Sequence, residues 1–160
     1  MVREDQADIK TLVQKRVHHL YYDLDKNCAK TTLLCLGELL THPVGPQVLQ
    51  AATGLHGAGG YRAQCGLVEG ALMMIGLYFS SQGLSDEQIA RLCYQYADRF
   101  TKEFGSLRCQ ELRPGGFNQS DPPHLCENLT AKTICFAWNF IRECEEENVR
   151  EHLAPNCGTR

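Results

Sequence analysis

The residues with the clearest chemistry in this sequence are its nine cysteines, in a chain of 160 residues. Their odd number means that they cannot all pair within one chain. No two of them stand in a C-x-x-C pair, the spacing that is typical of zinc ribbons and thioredoxin-type redox loops. Any site that several thiols share must therefore be assembled by the fold from distant segments. The nine lie at positions 28, 35, 65, 93, 109, 126, 135, 144 and 157.

The predicted helix ends separate four of these cysteines from the others. A helix N-terminus stabilises a thiolate, because its unpaired N–H groups and the macrodipole supply partial positive charge. Cys28, Cys65 and Cys126 fall at or near predicted helix starts, and Cys109 follows the predicted end of the fifth helix. The others are predicted to be small buried hydrophobes inside helices (Cys35, Cys93, Cys135, Cys144) or to lie in a frayed tail over 154–160 (Cys157).

Several segments around these four cysteines match the motifs of a known family. The chain resembles the family of proposed redox-active proteins named for its cysteine pattern, C_GCAxxG_C_C. The resemblance covers about residues 20–140, with Leu67 as a departure where the family motif has a small alanine. It implies a compact helical protein in which Cys28, Cys65, Cys109 and Cys126 form a redox or metal centre. The matching segments are NCAKTTLLCLGELL (27–40), CGLVEGALMMIGL (65–77), FGSLRCQEL (104–112) and Cys126.

Four thiolates can hold an iron–sulfur cluster or complete a tetrahedral zinc site. The stretch 54–66 holds five of the fourteen glycines, and glycine lets backbone N–H groups come close to cluster sulfurs. We therefore expect Gly59, Gly60 and Gly66 to help bind a cofactor, and the pattern favours an iron–sulfur cluster over zinc. The first functional hypothesis is an electron-transfer protein whose metal ligands are the four family cysteines.

A second hypothesis needs no metal and uses a dithiol that cycles to a disulfide. Such a pair requires close Cα atoms and one thiol of lowered pKa. Cys65 is the predicted attacking thiol and Cys28 the predicted resolving partner, with Cys109 as an alternative resolving thiol. A third hypothesis is a helical interaction module whose cysteines are structural. Whether the protein is itself an enzyme, associated with oxidoreductase chemistry, stays open.

Charged side chains near the cysteine segments are candidates to support this chemistry. Arg62, Arg108 and Arg113 are placed to offset thiolate charge, although solvated surface arginines fit the same positions. His56 and His124 are candidates for hydrogen bonding or proton transfer near the site, and an exposed loop histidine is the simpler interpretation of each.

Apolar spacings of three and four residues predict the helices that must position these side chains. They indicate an all-α single domain over 1–160: a bundle of five to six helices with a glycine-rich loop before a central apolar helix. Residues 113–124 are rich in Gly and Pro and are predicted to be a loop. The predicted helices are about 4–24, 28–40, 47–52, 65–81, 85–104 and 125–151.

Composition excludes several other functions. The net charge of −3 gives no basic field for nucleic acid. The longest apolar stretch, 71–79, is too short to insert across a membrane, and the first ten residues do not form a secretory signal, so a cytoplasmic protein is expected. No phosphate-binding loop or dinucleotide fingerprint indicates a nucleotide cofactor. The expected partner is a redox protein of unknown identity, and the oligomeric state is not indicated.

Overall fold

The centre of the molecule is the helix whose sequence is apolar on nearly every side. The computed structural model describes residues 2–153, with the side chains of residues 7–148, and in it this helix spans Gly66–Ser81. It packs along the helix Cys28–Leu39. Burial on most sides explains why its apolar character is almost continuous rather than confined to one stripe. The predicted tail over 154–160, including Cys157, lies outside the described residues.

The remaining helices surround this pair, which confirms the predicted all-α class. Over residues 2–153 no strand forms, and the extended segments meet in one isolated β-bridge, between Gln64 and Arg108. No helix in this part of the chain combines the length and apolarity needed to cross a membrane. The helices are α1 (Val2–His18), α2 (Cys28–Leu39), α3 (Pro46–Ala51), α4 (Gly57–Gly60), α5 (Gly66–Ser81), α6 (Asp86–Phe104), α7 (Cys109–Leu112) and α8 (Glu127–Leu153).

Side-chain caps fix the ends of α2 and α6 where the sequence predicts them. The Asn27 side chain accepts a hydrogen bond from the Lys30 N–H at 2.9 Å, so α2 begins at Cys28. Ser85 and Gln88 form a reciprocal capping box at the start of α6. At its other end Gly105 has a φ of 89°, the left-handed conformation that glycine adopts without strain.

The first predicted helix differs in its second half. It ends as an α-helix at His18 and continues as a π-helix over His19–Asp23. The wider turn of a π-helix rotates later residues away from the α-helical stripe, and Leu24 is 44% exposed. Leu12 lies at the edge of the same stripe and is 58% exposed. The apolar spacing of three and four residues over 4–24 includes Leu12 and Leu24 and predicts that both face inward, and the structure shows this prediction to be wrong.

Two short helices lie in segments for which no helix was predicted. The glycine-rich stretch contains α4, whose Ala58 and Gly59 have positive φ, and α7 begins directly at Cys109. Each spans only four residues, too short for an apolar period to be visible in the sequence. Their consequence is functional, because they determine where Cys109 and the backbone around it lie.

Close packing of α5 on α2 depends on a missing side chain at Gly70. A Cβ at this position would lie 2.7 Å from the Ala29 carbonyl oxygen and 2.9 Å from the Thr32 Cβ. At Gly76, on the same helix, an added Cβ would have no atom within 4 Å apart from its chain neighbours and the backbone of its own helix. A side chain is therefore excluded at Gly70 and accommodated at Gly76.

Gly70→Ala is expected to lower the free energy of unfolding by about 1–3 kcal/mol, because the new methyl group must push the two helices apart. The matched control Gly76→Ala is expected to raise it by about 0.5–1 kcal/mol, because alanine loses less conformational entropy in a helix. Urea unfolding followed by circular dichroism measures both. Equal effects of the two substitutions would contradict the described packing of α5 on α2.

Candidate functional site

A short piece of backbone pairing brings two cysteines from distant segments together. The Cys65 N–H donates to the Leu107 carbonyl at 2.8 Å, and the Cys109 N–H donates to the Ala63 carbonyl at 2.7 Å. These bonds flank the bridge between residues 64 and 108. Successive side chains of extended backbone point to opposite faces, so Cys65 and Cys109 share the face opposite to the bridge residues.

A cavity of about 410 Å³ supports this division of faces. It lies on the side of Gln64 and Arg108, and neither of the two cysteines lines it. Cys65 is instead 5% exposed and belongs to the hydrophobic core, while Cys109 is half-buried. The Cys65 and Cys109 thiols therefore lie on the face of the bridge opposite to this cavity.

The two thiols are joined by a hydrogen bond that makes them chemically unequal. The Cys65 thiol donates to the Cys109 sulfur, and this bond is the largest cause that raises the pKa of Cys65 and lowers that of Cys109. Burial raises the pKa of Cys65 further. The pKa of Cys109 falls to about 7, compared with an ordinary value of 9.0. A substantial part of Cys109 is therefore thiolate at neutral pH, while Cys65 keeps its proton.

Two arginines add positive charge around Cys109. After the Cys65 hydrogen bond, Arg113 and Arg62 are the charges that lower its pKa, against the effect of burial. Their guanidinium carbons lie 4.6 Å and 4.3 Å from the ring centre of Phe117, so one aromatic ring holds both. Both arginines were predicted candidates to offset thiolate charge; Arg108 is not among the groups that act on Cys109.

The loop after α7 holds Arg113 in place. Its Nε donates to the Gly116 carbonyl at 2.9 Å, and one terminal nitrogen lies 3.3 Å from the Asp121 carboxylate. The Arg113 and Asp121 side chains are only 19% and 16% exposed. Asp121 also accepts the Asn118 N–H at 2.9 Å. The predicted Gly- and Pro-rich loop is therefore an ordered support for a charge beside Cys109.

Cys28 approaches the pair from the start of α2. Its sulfur lies against Gly66, where a Cβ would overlap both that sulfur and the Leu55 carbonyl oxygen. Burial raises the pKa of Cys28 to about 12, and the charges of Cys109 and Cys126 raise it as well. The Ala29 N–H at the helix start lowers it, but burial outweighs this effect.

Cys126, directly before α8, completes the group. Burial raises its pKa, Arg113 lowers it, and the charge of Cys109 raises it. Cys109 thus interacts electrostatically with each of the other three family cysteines. The four cysteines, dispersed over almost a hundred residues of sequence and linked through these interactions with Cys109, are referred to below as the thiol cluster.

Two tyrosine hydroxyls, which sequence reasoning missed, lie within electrostatic reach of the thiol cluster. Tyr21 is influenced by three of the cysteines, and Tyr96 by Cys65. The Tyr21 hydroxyl is hydrogen-bonded to Thr130 Oγ1 at 2.7 Å, and its ring stacks on His124 with centroids 4.6 Å apart. Both tyrosines lie in apolar helical patterns that predict core residues, so no signal in the sequence distinguished their hydroxyls.

The glycines predicted to bind a cofactor occupy different environments. Gly66 adjoins the Cys28 sulfur. A Cβ added to Gly59 or Gly60 would instead have no atom of a more distant residue within 4 Å. Gly57, another member of the glycine-rich loop, has a φ of 67°, and a Cβ added there would lie 3.2 Å from the Cys109 sulfur. Cofactor binding by Gly59, Gly60 and Gly66 stays a prediction, and the geometry brings only Gly66 to a sulfur.

The four family cysteines have the right donor chemistry for a soft metal or a cluster, but the arrangement is not that of a closed site. Over the described residues, no group of three or more His, Cys, Asp or Glu side chains is placed to hold a metal ion. The sulfurs interact through charge and through the bond between Cys65 and Cys109. Cys65 and Cys109 therefore interact directly, while Cys28 and Cys126 interact with Cys109 through charge.

The nucleophile and the resolving thiol predicted for a dithiol do not match the directions in which the pKa values of these cysteines are shifted. Cys65 was the predicted nucleophile, with Cys28 to resolve, on the argument that a helix N-terminus lowers the pKa of a thiol. Both lie at helix starts, yet the pKa of each is raised, because the hydrogen bond to Cys109 at Cys65 and the loss of hydration at Cys28 outweigh the effect of the helix N–H groups. The lowered pKa belongs to Cys109, which the prediction named only as a resolving thiol.

The other described cysteines are separate from this group. Cys35 and Cys144 are buried in the hydrophobic core, as expected of small hydrophobic residues, and Cys93 and Cys135 are half-buried on α6 and α8. Burial raises the pKa of each of these four thiols. They are therefore protonated at neutral pH and unsuited to thiolate chemistry.

Comparison with known families agrees with the motif analysis. A family model described as "Putative redox-active protein (C_GCAxxG_C_C)" matches residues 26–139, well over half of the chain. The protein belongs to the C_GCAxxG_C_C family. The matched range contains all four members of the thiol cluster, together with Arg62 and Arg113. No curated protein and no solved structure matched the chain in the corresponding comparisons.

Cys65→Ala is expected to raise the pKa of Cys109 toward that of an ordinary thiol, because the hydrogen bond from Cys65 is the largest cause of its depression. Only the thiolate is alkylated, so in the unchanged protein the rate at Cys109 should be half-maximal near pH 7 and rise above it. The variant profile should move to higher pH, as measured by iodoacetamide labelling and peptide mass spectrometry. Cys144→Ala is the control, and an unmoved profile in Cys65→Ala would disprove the hydrogen bond.

Arg113→Gln is expected to slow alkylation of Cys109 at pH 7, because the loss of a nearby positive charge raises the pKa of its thiol. The neighbouring Arg108→Gln is the matched control: Arg108 is more exposed and does not act on Cys109. Labelling rates of the two variants at several pH values measure the difference. A larger effect from Arg108→Gln would show that the charges around Cys109 are arranged differently.

Proposed function

We propose that this member of the family is a thiol–disulfide redox protein in which Cys109 is the nucleophile and Cys65 the resolving thiol. The observation that carries the proposal is the hydrogen bond between these two side chains, which leaves one sulfur anionic and the other protonated. Positive charge from Arg62 and Arg113 favours the same state. An anionic sulfur beside a protonated partner is the arrangement that thiol–disulfide exchange requires.

In the first step the Cys109 thiolate attacks one sulfur of a partner disulfide. A bond forms between Cys109 and that sulfur, the partner's S–S bond breaks, and the other half leaves as a thiolate that takes a proton from solvent. Arg62 and Arg113 hold the attacking charge before the step. The product is a mixed disulfide between the partner and Cys109.

In the second step Cys65 gives up its proton to solvent and attacks the Cys109 sulfur. A Cys65–Cys109 disulfide forms and the second half of the partner leaves as a thiolate. Counted from the Cys109 thiolate, the protein loses two electrons and the Cys65 proton over both steps, and the partner disulfide becomes two thiols as each leaving thiolate takes a proton from solvent. A reducing compartment, such as the cytoplasm predicted from the sequence, would return the pair to the dithiol.

A metal–thiolate or iron–sulfur centre for electron transfer is the second candidate. It is favoured by one observation: Cys28 and Cys126 interact with Cys109 as well, so all four family cysteines belong to one cluster. A bound cluster would supply one-electron chemistry, with the four thiolates as ligands. The side chains would have to move to form it, because the described residues contain no group already placed around a metal. This requirement is why the dithiol is the preferred proposal.

The test is to count titratable thiols before and after mild oxidation of protein purified without oxygen. Oxidised dithiothreitol should remove two thiols from the unchanged protein and from the matched control Cys28→Ser. Cys109→Ser and Cys65→Ser should lose none, because each lacks one half of the disulfide. Iron, sulfide and zinc are measured on the same preparation.

Two results would overturn the dithiol proposal. Stoichiometric iron and sulfide, or zinc, that is lost from Cys28→Ser as well as from Cys65→Ser would favour the metal centre. Metal-free protein whose thiols all survive mild oxidation would favour the third hypothesis, a helical interaction module with structural cysteines.

A further inference from the structure

A cavity of about 630 Å³ lies between α1 and α8. Its described lining residues all belong to these two helices, so its walls are regular backbone rather than loops. The volume falls in the range of about 300–1,000 Å³ that is typical of sites for small organic ligands. No member of the thiol cluster is among these lining residues, so a ligand in the cavity is separate from the thiol chemistry.

The more deeply buried part of the lining is apolar. Ala131 is 5% exposed, and Ile9, Phe136 and Trp138 are half-buried and pack against the hydrophobic core. Trp138 is the one tryptophan of the chain, and its indole N–H has no hydrogen-bond partner among the described residues. Such a lining favours a hydrocarbon group, because the removal of apolar surface from water is favourable.

The exposed part of the lining is positively charged. Lys10 and Lys132 line the cavity, and neither ammonium group forms an ion pair with a described residue. No described Asp or Glu lines it, although the chain as a whole has a net charge of −3. Burial raises the pKa of the Cys135 thiol, which also lines the cavity, and the Lys10 charge lowers it. The Lys10 ammonium therefore acts on a group inside the cavity lining.

A second cavity, of about 730 Å³, adjoins the first at Trp138 and has the opposite charge. Its described cation is Arg142, which is paired with Glu145 at 2.7 Å. A negatively charged ligand is therefore attracted to the cavity with the two lysines and repelled by its neighbour. The glutamates that line the second cavity are at positions 143, 145 and 146.

We propose that the cavity between α1 and α8 binds a small aliphatic carboxylate. Its hydrocarbon chain lies against Phe136 and Trp138, and its carboxylate lies at the exposed end, between Lys10 and Lys132. Ammonium groups donate strong, charge-assisted hydrogen bonds to carboxylate oxygens. The inference goes beyond thiol–disulfide exchange and does not depend on it.

The experiment titrates the reduced full-length protein with octanoate and records the fluorescence of Trp138. Because the chain has a single tryptophan, any change reports on the surroundings of this side chain. A saturable change is expected. Octanol has the same chain length without the charge, and it should bind at least tenfold more weakly because it forms no ion pair with the lysines.

Lys10→Gln and Lys132→Gln should each weaken octanoate binding about threefold, the effect of losing one exposed ion pair, and should leave octanol binding unchanged. Lys15→Gln is the matched control, because Lys15 is exposed on α1 and is not among the lining residues. It changes the net charge equally and should not alter either affinity. Since all three lysines are exposed, the variants are expected to fold, which circular dichroism checks.

Alkylation by N-ethylmaleimide locates the bound octanoate. Saturating octanoate should slow the labelling of Cys135, measured by peptide mass spectrometry, because this thiol lines the cavity. Cys93 is the internal control: it is also half-buried, lies on α6 and is not among the lining residues, so its labelling rate should stay the same.

Three results would overturn the proposal. The first is no saturable change in fluorescence. The second is octanoate binding that leaves Cys135 as reactive as before, which would place the ligand elsewhere, for example in the acidic cavity on the other side of Trp138. The third is equal binding of octanoate and octanol that neither lysine substitution weakens, which would mean that the lysines do not recognise a carboxylate.

Discussion

The hydrogen bond from the Cys65 thiol to the Cys109 sulfur is the interaction on which the site depends. It exists because two distant backbone segments, 63–65 and 107–109, pair over one bridge and turn both cysteines to the same face. The glycines beside the cluster serve the same arrangement. Gly66 leaves room for the Cys28 sulfur and Gly57 for that of Cys109. The thiols can thus lie close together because these two glycines have no side chain.

Burial and charge act on the thiol cluster in opposite directions, and their balance gives each sulfur a different character. Burial favours the protonated form of every buried thiol, and it decides the outcome at Cys28 and Cys126. Cys109 is less buried than these, receives the Cys65 hydrogen bond and has two arginines nearby. One thiolate among protonated neighbours follows from this asymmetry, and it is what gives the proposed exchange a defined first nucleophile.

The sequence predicted those parts of the structure that local interactions determine. The capped ends of α2 and α6 and the apolar central helix were correct because Asn27, Ser85 and Gly105 act within one helical turn. The selection of Cys28, Cys65, Cys109 and Cys126 rested on helix ends and family motifs, and in the structure Cys109 interacts with each of the other three. Their chemical roles within it remain proposals.

The remaining features depend on long-range contacts that leave no periodic signal. A single bridge between residues 64 and 108 has no alternating pattern, and the four residues of α7 are too few to show a helical one. Cys65 was predicted to be the nucleophile because it lies at a helix start. The sequence does not show how deeply that helix start is buried, since burial is a property of the whole fold. The unpaired hydroxyl of Tyr96 is likewise visible only once its neighbours are known.

The most direct measurement of the central claim is peptide mapping of the disulfide that forms when the full-length reduced protein is oxidised gently. The account predicts one predominant disulfide-linked peptide pair, containing Cys65 and Cys109. A predominant link between Cys28 and either of these residues, or a mixture without preference, would contradict it.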